Sequence, residues 1–530
     1  MKIAGLCSGH DCSFAVLDNG IPIIHAELER YLRVKEPLGD SLEFLFDKYP
    51  NYKEISHFSH CVDTWNGGIR ERYPETYAKM NMLLSKNGGK FYEPGHHESH
   101  AANAFFSSNY DEALIITIDG GGRDYSLKNG DVMITTFTVW TGKGNKIKPI
   151  AIIPIEKINL GVMWQQCTEH IFGLSAGYPK GNQAGSVMAM AVMGDPDKYF
   201  DYFMSFKGLL DHRFDFGQLR KIAEASEEER FNIAAALQKS TEVLVKRIIE
   251  YYADRYPSKY LCLSGGVVLN SVMSGKMFDW FKDRFKDIYM CPVPYDAGLA
   301  IGAAQWVWHQ ELDNPRVQWD KNASPYLGEV YNSDHVKDSL KKYDDKIVYR
   351  KVEECEVIDF LDNKKIVSVF GGGSESGRRA LGNRSILADP RPEDMKDLIN
   401  EKVKHRQWYR PFAPAILRED VEDWFVRDIE SPYMGFVIKF KEEACQKVPA
   451  VVHYDGSGRL QTVTEKDNSW FYKFLKKWKN KTGIPILLNT SFNDREPIVE
   501  NPEDAIKCFL GTEIDYLYFF DEQIIVEKRK

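Results

Sequence analysis

Short apolar runs open the chain: residues 2–7, 13–18 and 23–28 read as three strands, with Asn19-Gly20 as the turn between the last two. Asn-Gly accepts the positive φ values that a two-residue hairpin needs, and Pro22 stands just ahead of the third strand, where a missing N–H is tolerated. The polar tetrapeptide Ser8-Gly9-His10-Asp11 bends the chain between the first two strands. Residues 113–118 form a buried-strand candidate, and further strands separated by Gly-rich turns are expected up to residue 155. Over residues 227–256 the period changes. Ile233, Ala236, Leu237, Val243, Leu244 and Ile248 recur at helical spacing and predict a long helix packed across a sheet.

The segment Tyr260-Leu-Cys-Leu-Ser264 predicts a strand that runs into Gly265-Gly266 and then a helix, and Pro294-Tyr295-Asp296-Ala297-Gly298 opens another helix. Residues 312–340 turn polar and lose periodicity, which marks a linker; strands resume at 347–349 and 366–370. With 530 residues the chain exceeds one ordinary core, so two domains are expected, 1–325 and 340–530, of α/β and α+β class. No window approaches the ~18 uninterrupted apolar residues of a membrane span, and residues 1–6 enter a strand directly, so no membrane association and a cytoplasmic location are expected. Nine cysteines without a Cys-x-x-Cys pair fit reduced thiols better than a disulfide framework or a zinc ribbon. A net charge of -8 offers no global attraction to nucleic acid.

Candidate chemistry begins at His96 and His100, four residues apart and so on one face of a helix, with Asp119-Gly120-Gly121-Gly122 following the apolar run. Two imidazoles and a carboxylate beside glycines whose amides can approach a polyphosphate suggest a metal-nucleotide site. Taken singly, the histidine pair is a weak signal and Asp-Gly-Gly-Gly could be a turn. Gly265 and Gly266, ahead of Asn270, can place a helix N-terminus at an anion. Asp296, by its own residues, reads first as a helix N-cap. Residues 371–385 hold three arginines and five glycines, a composition hard to explain by packing and suited to an oxyanion. Arg379, Arg410 and Arg459 sit beside Gly, Pro and aromatic residues and look enclosed, and Asn489 and Ser491 can add orienting hydrogen bonds. Lys402 and Arg406 read as solvated surface.

Ser8-Gly-His10-Asp11, Glu29-Arg30 with Lys35, His96-His-Glu-Ser-His100-Ala, Asp119-Gly-Gly-Gly, Ser264-Gly-Gly, Asp296-Ala-Gly, Arg379-Ala-Leu-Gly-Asn-Arg384-Ser, Arg410-Pro-Phe-Ala-Pro and Leu488-Asn-Thr-Ser-Phe-Asn493 occur in this order along nearly the whole chain. Together they resemble the O-carbamoyltransferase family of nodulation-factor and antibiotic biosynthesis (the NodU and antibiotic carbamoyltransferase type). The resemblance implies an N-terminal actin-like (ASKHA) ATPase-type domain fused to a C-terminal YrdC-like carbamoyladenylate-forming domain. It implies ATP and carbamoyl phosphate as co-substrates, held by Arg379, Lys404, Arg410, Arg459, Asn489 and Ser491. It implies one divalent metal on His96, His100, Asp119 and Asp296, iron(II) by family habit, with manganese or zinc also suited. Gly120, Gly121, Gly265, Gly266 and Asn270 would bind nucleotide, His10 would deprotonate the acceptor hydroxyl, and Lys35 would balance charge near the leaving group.

The implied partner is a hydroxyl or hydroxymethyl acceptor, either a small molecule (a sugar or a natural-product alcohol) or a hydroxymethyl-pyrimidine nucleotide. DNA as acceptor is open but not indicated by the net charge, and a homodimer is compatible. One departure stands out: where relatives read acidic-Gly-Lys, this chain has Gln183-Ala184-Gly185-Ser186, in the stretch that faces the acceptor. Residues 60–90 and 160–220 are expected to shape the acceptor pocket. Two other readings stay open: a tRNA threonylcarbamoyladenosine-type transferase, and a non-catalytic actin-like nucleotide-binding module. The fused arginine-rich half and the absence of a basic tail speak against the first, and His10 together with the arginine set against the second.

Overall fold

A computed structural model describes residues 1–61, 72–126, 132–205, 214–317 and 324–529. The chain divides into two units, Met1–Ala323 and Ser324–Lys530. Residues 62–71 and 206–213, parts of the stretches expected to shape the acceptor pocket, and residues 318–323 of the expected linker lie outside the described residues.

The first unit repeats one sheet topology twice. Its first sheet comprises β1 (Lys2–Cys7), β2 (Ser13–Asp18), β3 (Ile21–Glu27), β4 (Ile55–Cys61) and β5 (Phe91–Tyr92), in the order β3-β2-β1-β4-β5. β1, β2 and β3 form an antiparallel meander, while β4 and β5 run parallel to β1. The next strands are β6 (Glu112–Ser126), β7 (Val132–Lys143) and β8 (Lys146–Pro154). A small hairpin, β9 (Ala176–Gly177) with β10 (Gly181–Asn182), precedes β11 (Tyr260–Ser264) and β12 (Asp287–Met290). The second sheet runs β12-β11-β6-β7-β8, with an antiparallel meander β6-β7-β8 and parallel β11 and β12. The same order and the same change of sense in both sheets is the duplicated layout of an actin-like domain.

The turn at Asn19-Gly20 has φ values of 49° and 84°, as the hairpin reading requires. β3 starts two residues earlier than expected and includes Pro22; it is an edge strand, and its register with β2 shifts beside the Leu17–Pro22 pair, where a missing donor is tolerated. The long helix spans Glu227–Arg255. One expectation fails: the chain does not leave its strand for a loop at the glycine triplet. β6 continues through Gly120, Gly121 and Gly122 to Ser126, with its register shifted between Ile118 and Gly122. A bulge lengthens the strand locally without ending it, and glycine supplies the backbone freedom.

Two helices in matching positions of the two halves, His96–Phe106 after β5 and Leu299–Trp306 after β12, pack against each other. Their approach depends on missing side chains: a Cβ at Gly302 would stand 1.9 Å from the Ser99 carbonyl oxygen, and one at Gly5 on β1 would stand 1.8 Å from that of Ala300. The second unit is α+β, built on a mixed nine-stranded sheet. Its strands are β13 (Ile347–Lys351), β14 (Val367–Phe370), β15 (Arg384–Ala388), β16 (Ala413–Leu417), β17 (Phe436–Lys439), β18 (Ser457–Val463), β19 (Ile486–Ser491), β20 (Tyr516–Phe519) and β21 (Ile524–Lys528), in the order β13-β21-β20-β14-β15-β19-β16-β18-β17. One core joins Phe471, Phe474, Leu475 and Trp478 of the helix Ser469–Thr482 to Val367, Leu387, Ala415 and Leu487 of the sheet. Among the described residues no helix is long and apolar enough to cross a membrane.

Because backbone on both sides leaves no flexible neighbour to yield, Gly5→Ala is expected to destabilise the first unit by about 2 kcal/mol. Urea unfolding followed by tryptophan fluorescence checks this; an unchanged midpoint would contradict the close approach.

Candidate functional site

The helix His96–Phe106 is tied down at its first turn. The Gly95 amide donates to Glu98 Oε2 at 2.8 Å, and the His97 amide donates to Asp124 Oδ1 at 2.5 Å. Carboxylates here satisfy amides that have no partner within the helix and meet the positive end of its dipole. The four-residue spacing stacks His96 over His100, with their Nε2 atoms 3.2 Å apart. Gly122 makes room for this: a Cβ there would lie 2.0 Å from His96 Cγ. The third glycine of the triplet thus serves an imidazole.

His97 points elsewhere and is fully buried. Its Nε2 lies 3.1 Å from the Thr135 carbonyl oxygen, which can only accept, so Nε2 carries the proton and Nδ1 accepts from the Thr117 hydroxyl at 2.5 Å. Thr138 then donates to Thr117, and Trp140 Nε1 donates to Thr138 at 2.6 Å. Burial holds this imidazole well below the usual histidine range, so the chain of donors has one direction.

Two carboxylates converge on the histidine pair. Asp119, on the bulge of β6, accepts from the Gly120 amide at 2.5 Å through Oδ1 and from the Gly266 amide through Oδ2. Asp296 starts a single 3-10 turn, Asp296–Gly298, ahead of the helix Leu299–Trp306. It caps nothing: its Oδ1 lies 3.3 Å from His100 Nε2 and 3.7 Å from His96 Nε2, and Asp119 Oδ2 lies 3.5 Å from His100 Nε2. One ligand atom from each of the four buried residues falls within 4.8 Å of all the others.

This set fits a divalent cation. Asp296 Oδ1 is buried with no hydrogen-bond donor in good geometry, and such an atom calls for a charge partner. Ser264 donates to the Pro294 carbonyl, so its oxygen accepts from His100 Nδ1 at 3.1 Å, which fixes the ring with Nε2 directed into the space shared with the carboxylates. The protein groups alone separate the two imidazoles. Burial lowers His96 more than Asp296 raises it; at His100 burial also lowers, but the adjacent carboxylates of Asp119 and Asp296 outweigh it and hold the ring up to about 9. Burial opposes ionisation of Asp119, yet the His100 contact prevails and keeps it below the usual carboxylate range.

His10 stands at the edge of this cluster, about half exposed, with Nε2 3.5 Å from Asp296 Oδ2 and Nδ1 3.3 Å from Asp11 Oδ2. The other expected residues of this unit are placed differently. Asn270 caps the helix Ser271–Trp280 through the Met273 amide and exchanges hydrogen bonds with Gln238, so its amide is spent on structure. Gly265, at φ 97°, lets the chain pass the Ile118 backbone, and Gly121 faces Ile134 and Ile155. Lys35 lies over Gly181 of the β9–β10 hairpin, and its neighbour Glu36 accepts from the Asn182 amide at 2.9 Å. In the segment that departs from the family pattern, Gln183 accepts from the Ser175 amide, and the buried Ser186 hydroxyl meets no hydrogen-bond partner among the described residues.

In the second unit Arg379, Arg406, Arg410 and Arg459 lie within electrostatic reach of one another. Burial and like charge push Arg406 and Arg459 well below the usual arginine range, Arg406 facing Arg410 and Arg459, and Arg459 facing Arg379 and Arg410. A guanidinium keeps its proton in a protein, so this crowding of positive charge is of the kind an anion would relieve. The Arg410 guanidinium donates to no protein acceptor among the described residues. Arg406 corrects its reading as solvated surface: it stacks 4.6 Å over Phe412 and donates to Asn400 Oδ1 at 2.7 Å. Lys402, paired with Glu513 at 3.5 Å, is solvated as read.

Lys404 is buried and its ammonium is committed to Ser491 and to Asn493 Oδ1 (2.7 Å) and carbonyl (2.8 Å), anchoring the turn after β19. Asn489 donates to Gln461 and to the Ala380 carbonyl. The oxyanion met by the amides of Leu381, Asn383 and Arg384 is the protein's own Glu375, whose Oε1 accepts from all three at 2.7, 2.8 and 3.1 Å. Arg384, fully buried, donates to the carbonyls of Gly371, Gly372 and Glu500.

The first unit, with the duplicated sheet layout of an actin-like domain, carries the buried His/Asp cluster, and the α+β second unit carries the arginine cluster. Residues 198–305 match the carbamoyltransferase N-terminus and residues 358–528 the carbamoyltransferase C-terminus. The nodulation protein NolNO of Sinorhizobium fredii is 35% identical over 558 residues, covering 96% of this chain and 78% of its own. The nodulation protein NolO of Bradyrhizobium diazoefficiens is 34% identical over 80% of this chain and 77% of its own. The 3'-hydroxymethylcephem-O-carbamoyltransferase of Amycolatopsis lactamdurans is 31% identical over 61% of each chain. The chain belongs to the carbamoyltransferase family and is a carbamoyltransferase.

Elemental analysis of the purified protein is expected to find one transition metal per chain, lost in His96→Ala, since removing one of four ligands leaves two carboxylates facing a single imidazole. Unchanged stoichiometry in that variant would refute the ligand set.

Proposed function

We propose that the chain makes carbamoyladenylate from carbamoyl phosphate and ATP in its second unit, with the YrdC-like chemistry the resemblance implies, and transfers the carbamoyl group to a hydroxyl or hydroxymethyl acceptor in its first. The observation that carries this reading is the arginine cluster, in a different unit from the His/Asp cluster. Carbamoyl phosphate loses phosphate to water; the carbamate oxygen then attacks the α-phosphorus of ATP and pyrophosphate leaves. Arg379, Arg406, Arg410 and Arg459 bind and orient these anions, planar guanidiniums meeting paired oxygens. Lys404 acts through the Ser491–Asn493 turn that it fixes.

In the first unit the acceptor oxygen attacks the carbamoyl carbon and the bond from that carbon to the AMP oxygen breaks. The acceptor proton passes to His10 Nε2, while Nδ1–H donates to Asp11, which holds the ring and its tautomer. A divalent cation on His96, His100, Asp119 and Asp296, iron(II) as the resemblance implies or manganese or zinc, would supply positive charge against the adenylate phosphate. Lys35 adds charge on the leaving-group side. Of the four glycines implied for the nucleotide, Gly120 and Gly266 are the ones assigned to it, since Gly265 packs on the Ile118 backbone and Gly121 on Ile134 and Ile155.

With Gln183, Ala184 and Ser186 in place of an acidic residue and a lysine, the acceptor is held through neutral hydrogen bonds. A hydroxymethyl acceptor is in keeping with the cephem enzyme named above. We take the reaction to be cytoplasmic, since free thiols and a need for ATP fit a reducing interior.

Incubation with carbamoyl phosphate and labelled ATP is expected to release pyrophosphate without an acceptor, and Arg459→Ala to slow this about 100-fold. Release undiminished in that variant would sink the activation site. His10→Asn is expected to keep pyrophosphate release and slow transfer by about 100-fold to 10,000-fold; the opposite pattern would show that His10 is not the transfer base.

A further inference from the structure

The first sheet holds the turn that carries Asp296. Ser13 on β2 donates to the Ala297 carbonyl at 2.8 Å, and His25 on β3 reaches the same oxygen through Nε2 at 2.8 Å. A carbonyl only accepts, so His25 carries its proton on Nε2. On the other side of Asp296, the Tyr295 hydroxyl lies 2.6 Å from Glu27 Oε2 at the end of β3. All four side chains are buried. Asp296 therefore has on each flank a residue tied to the first sheet, while His96, His100 and Asp119 are held by other elements: the helix His96–Phe106 and the bulge of β6.

The same strands lead to the rest of the site. The Leu28 amide, one residue past β3, donates to the Cys12 carbonyl at 2.8 Å, next to the His10-Asp11 turn. The Glu36 amide beside Lys35 donates to Glu29 Oε2 at 3.2 Å. Movement of β3 would shift Asp296 and His10 together.

We propose that Tyr295 and Glu27, with Ser13 and His25 behind the Ala297 carbonyl, are positioning residues that set the metal affinity of the centre by holding Asp296 in the ligand sphere. The proposal rests on the metal reading above. Hydrogen-bonded supports behind metal ligands typically contribute about 10-fold to 100-fold in affinity, because a ligand free to turn away adds an ordering cost to binding.

The experiment titrates the metal-stripped full chain with Mn(II), following bound ion by electron paramagnetic resonance, and compares thermal unfolding of the metal-free proteins. Tyr295→Phe removes one hydroxyl and is expected to raise the Mn(II) dissociation constant about 10-fold or more. Tyr289→Phe on β12, which removes a buried hydroxyl that donates to the Ser107 carbonyl, is the control and should shift it less than about 2-fold. Should Tyr295→Phe not fold, Ser13→Ala reads the same quantity.

Wild-type affinity in Tyr295→Phe or its substitute overturns the proposal while leaving the metal centre standing. Equal weakening in Tyr289→Phe overturns it too, since the effect would then be general loosening. A wild-type chain that binds no Mn(II), Fe(II) or Zn(II) overturns the metal reading and this proposal together.

Discussion

Two carboxylates buried against two imidazoles are the constraint around which the first unit is arranged. Charge removed from water needs a partner, and none of these side chains can turn to solvent. Three of the four are instead held from behind: His100 by Ser264, Asp119 by the Gly120 and Gly266 amides, and Asp296 by the turn between Tyr295 and Ala297. Those supports need specific residues elsewhere, and they account for several of the glycines singled out in the chain. Gly266 serves a ligand carboxylate, and Gly122 gives His96 its place.

The cluster can form only because two backbones touch. The helices His96–Phe106 and Leu299–Trp306 occupy matching places in the two halves, and Gly302 lets them meet at the Ser99 carbonyl. Asn103 on the first helix donates to the Val293 carbonyl at 2.9 Å, close ahead of Asp296. A duplicated topology thus brings His96 and Asp296, far apart in the chain, to one place. Close approach by glycine, then hydrogen bonds to fix the side chains, is the physical sequence of construction.

In the second unit some buried charges hold the protein, while others crowd charges of their own sign. Arg384, Lys404 and Glu375 are spent internally, on carbonyls, on a turn and on three amides. Arg379, Arg406, Arg410 and Arg459 crowd one another, and this excess of positive charge distinguishes them. Residue type did not separate the groups, because a buried arginine facing carbonyls and one facing other arginines have the same local composition.

The periodicities were legible before folding: strands at residues 2–7 and 13–18, the helix starting at residue 227, and the stacking of His96 on His100 all follow from local spacing, since side-chain direction repeats every two residues in strands and about every 3.6 in helices. The family could also be read there, from the order of its motifs. What spacing could not supply is partnership between distant segments. Asp296 reads as a helix cap until the fold brings it 3.3 Å from His100, Arg406 reads as surface until Arg410 and Arg459 stand beside it, and Asn270 reads as a ligand until Gln238 takes its amide. Local sequence determines which way a side chain points; only tertiary structure decides what it meets there, because burial, charge pairing and close approach depend on residues that are neighbours in space alone.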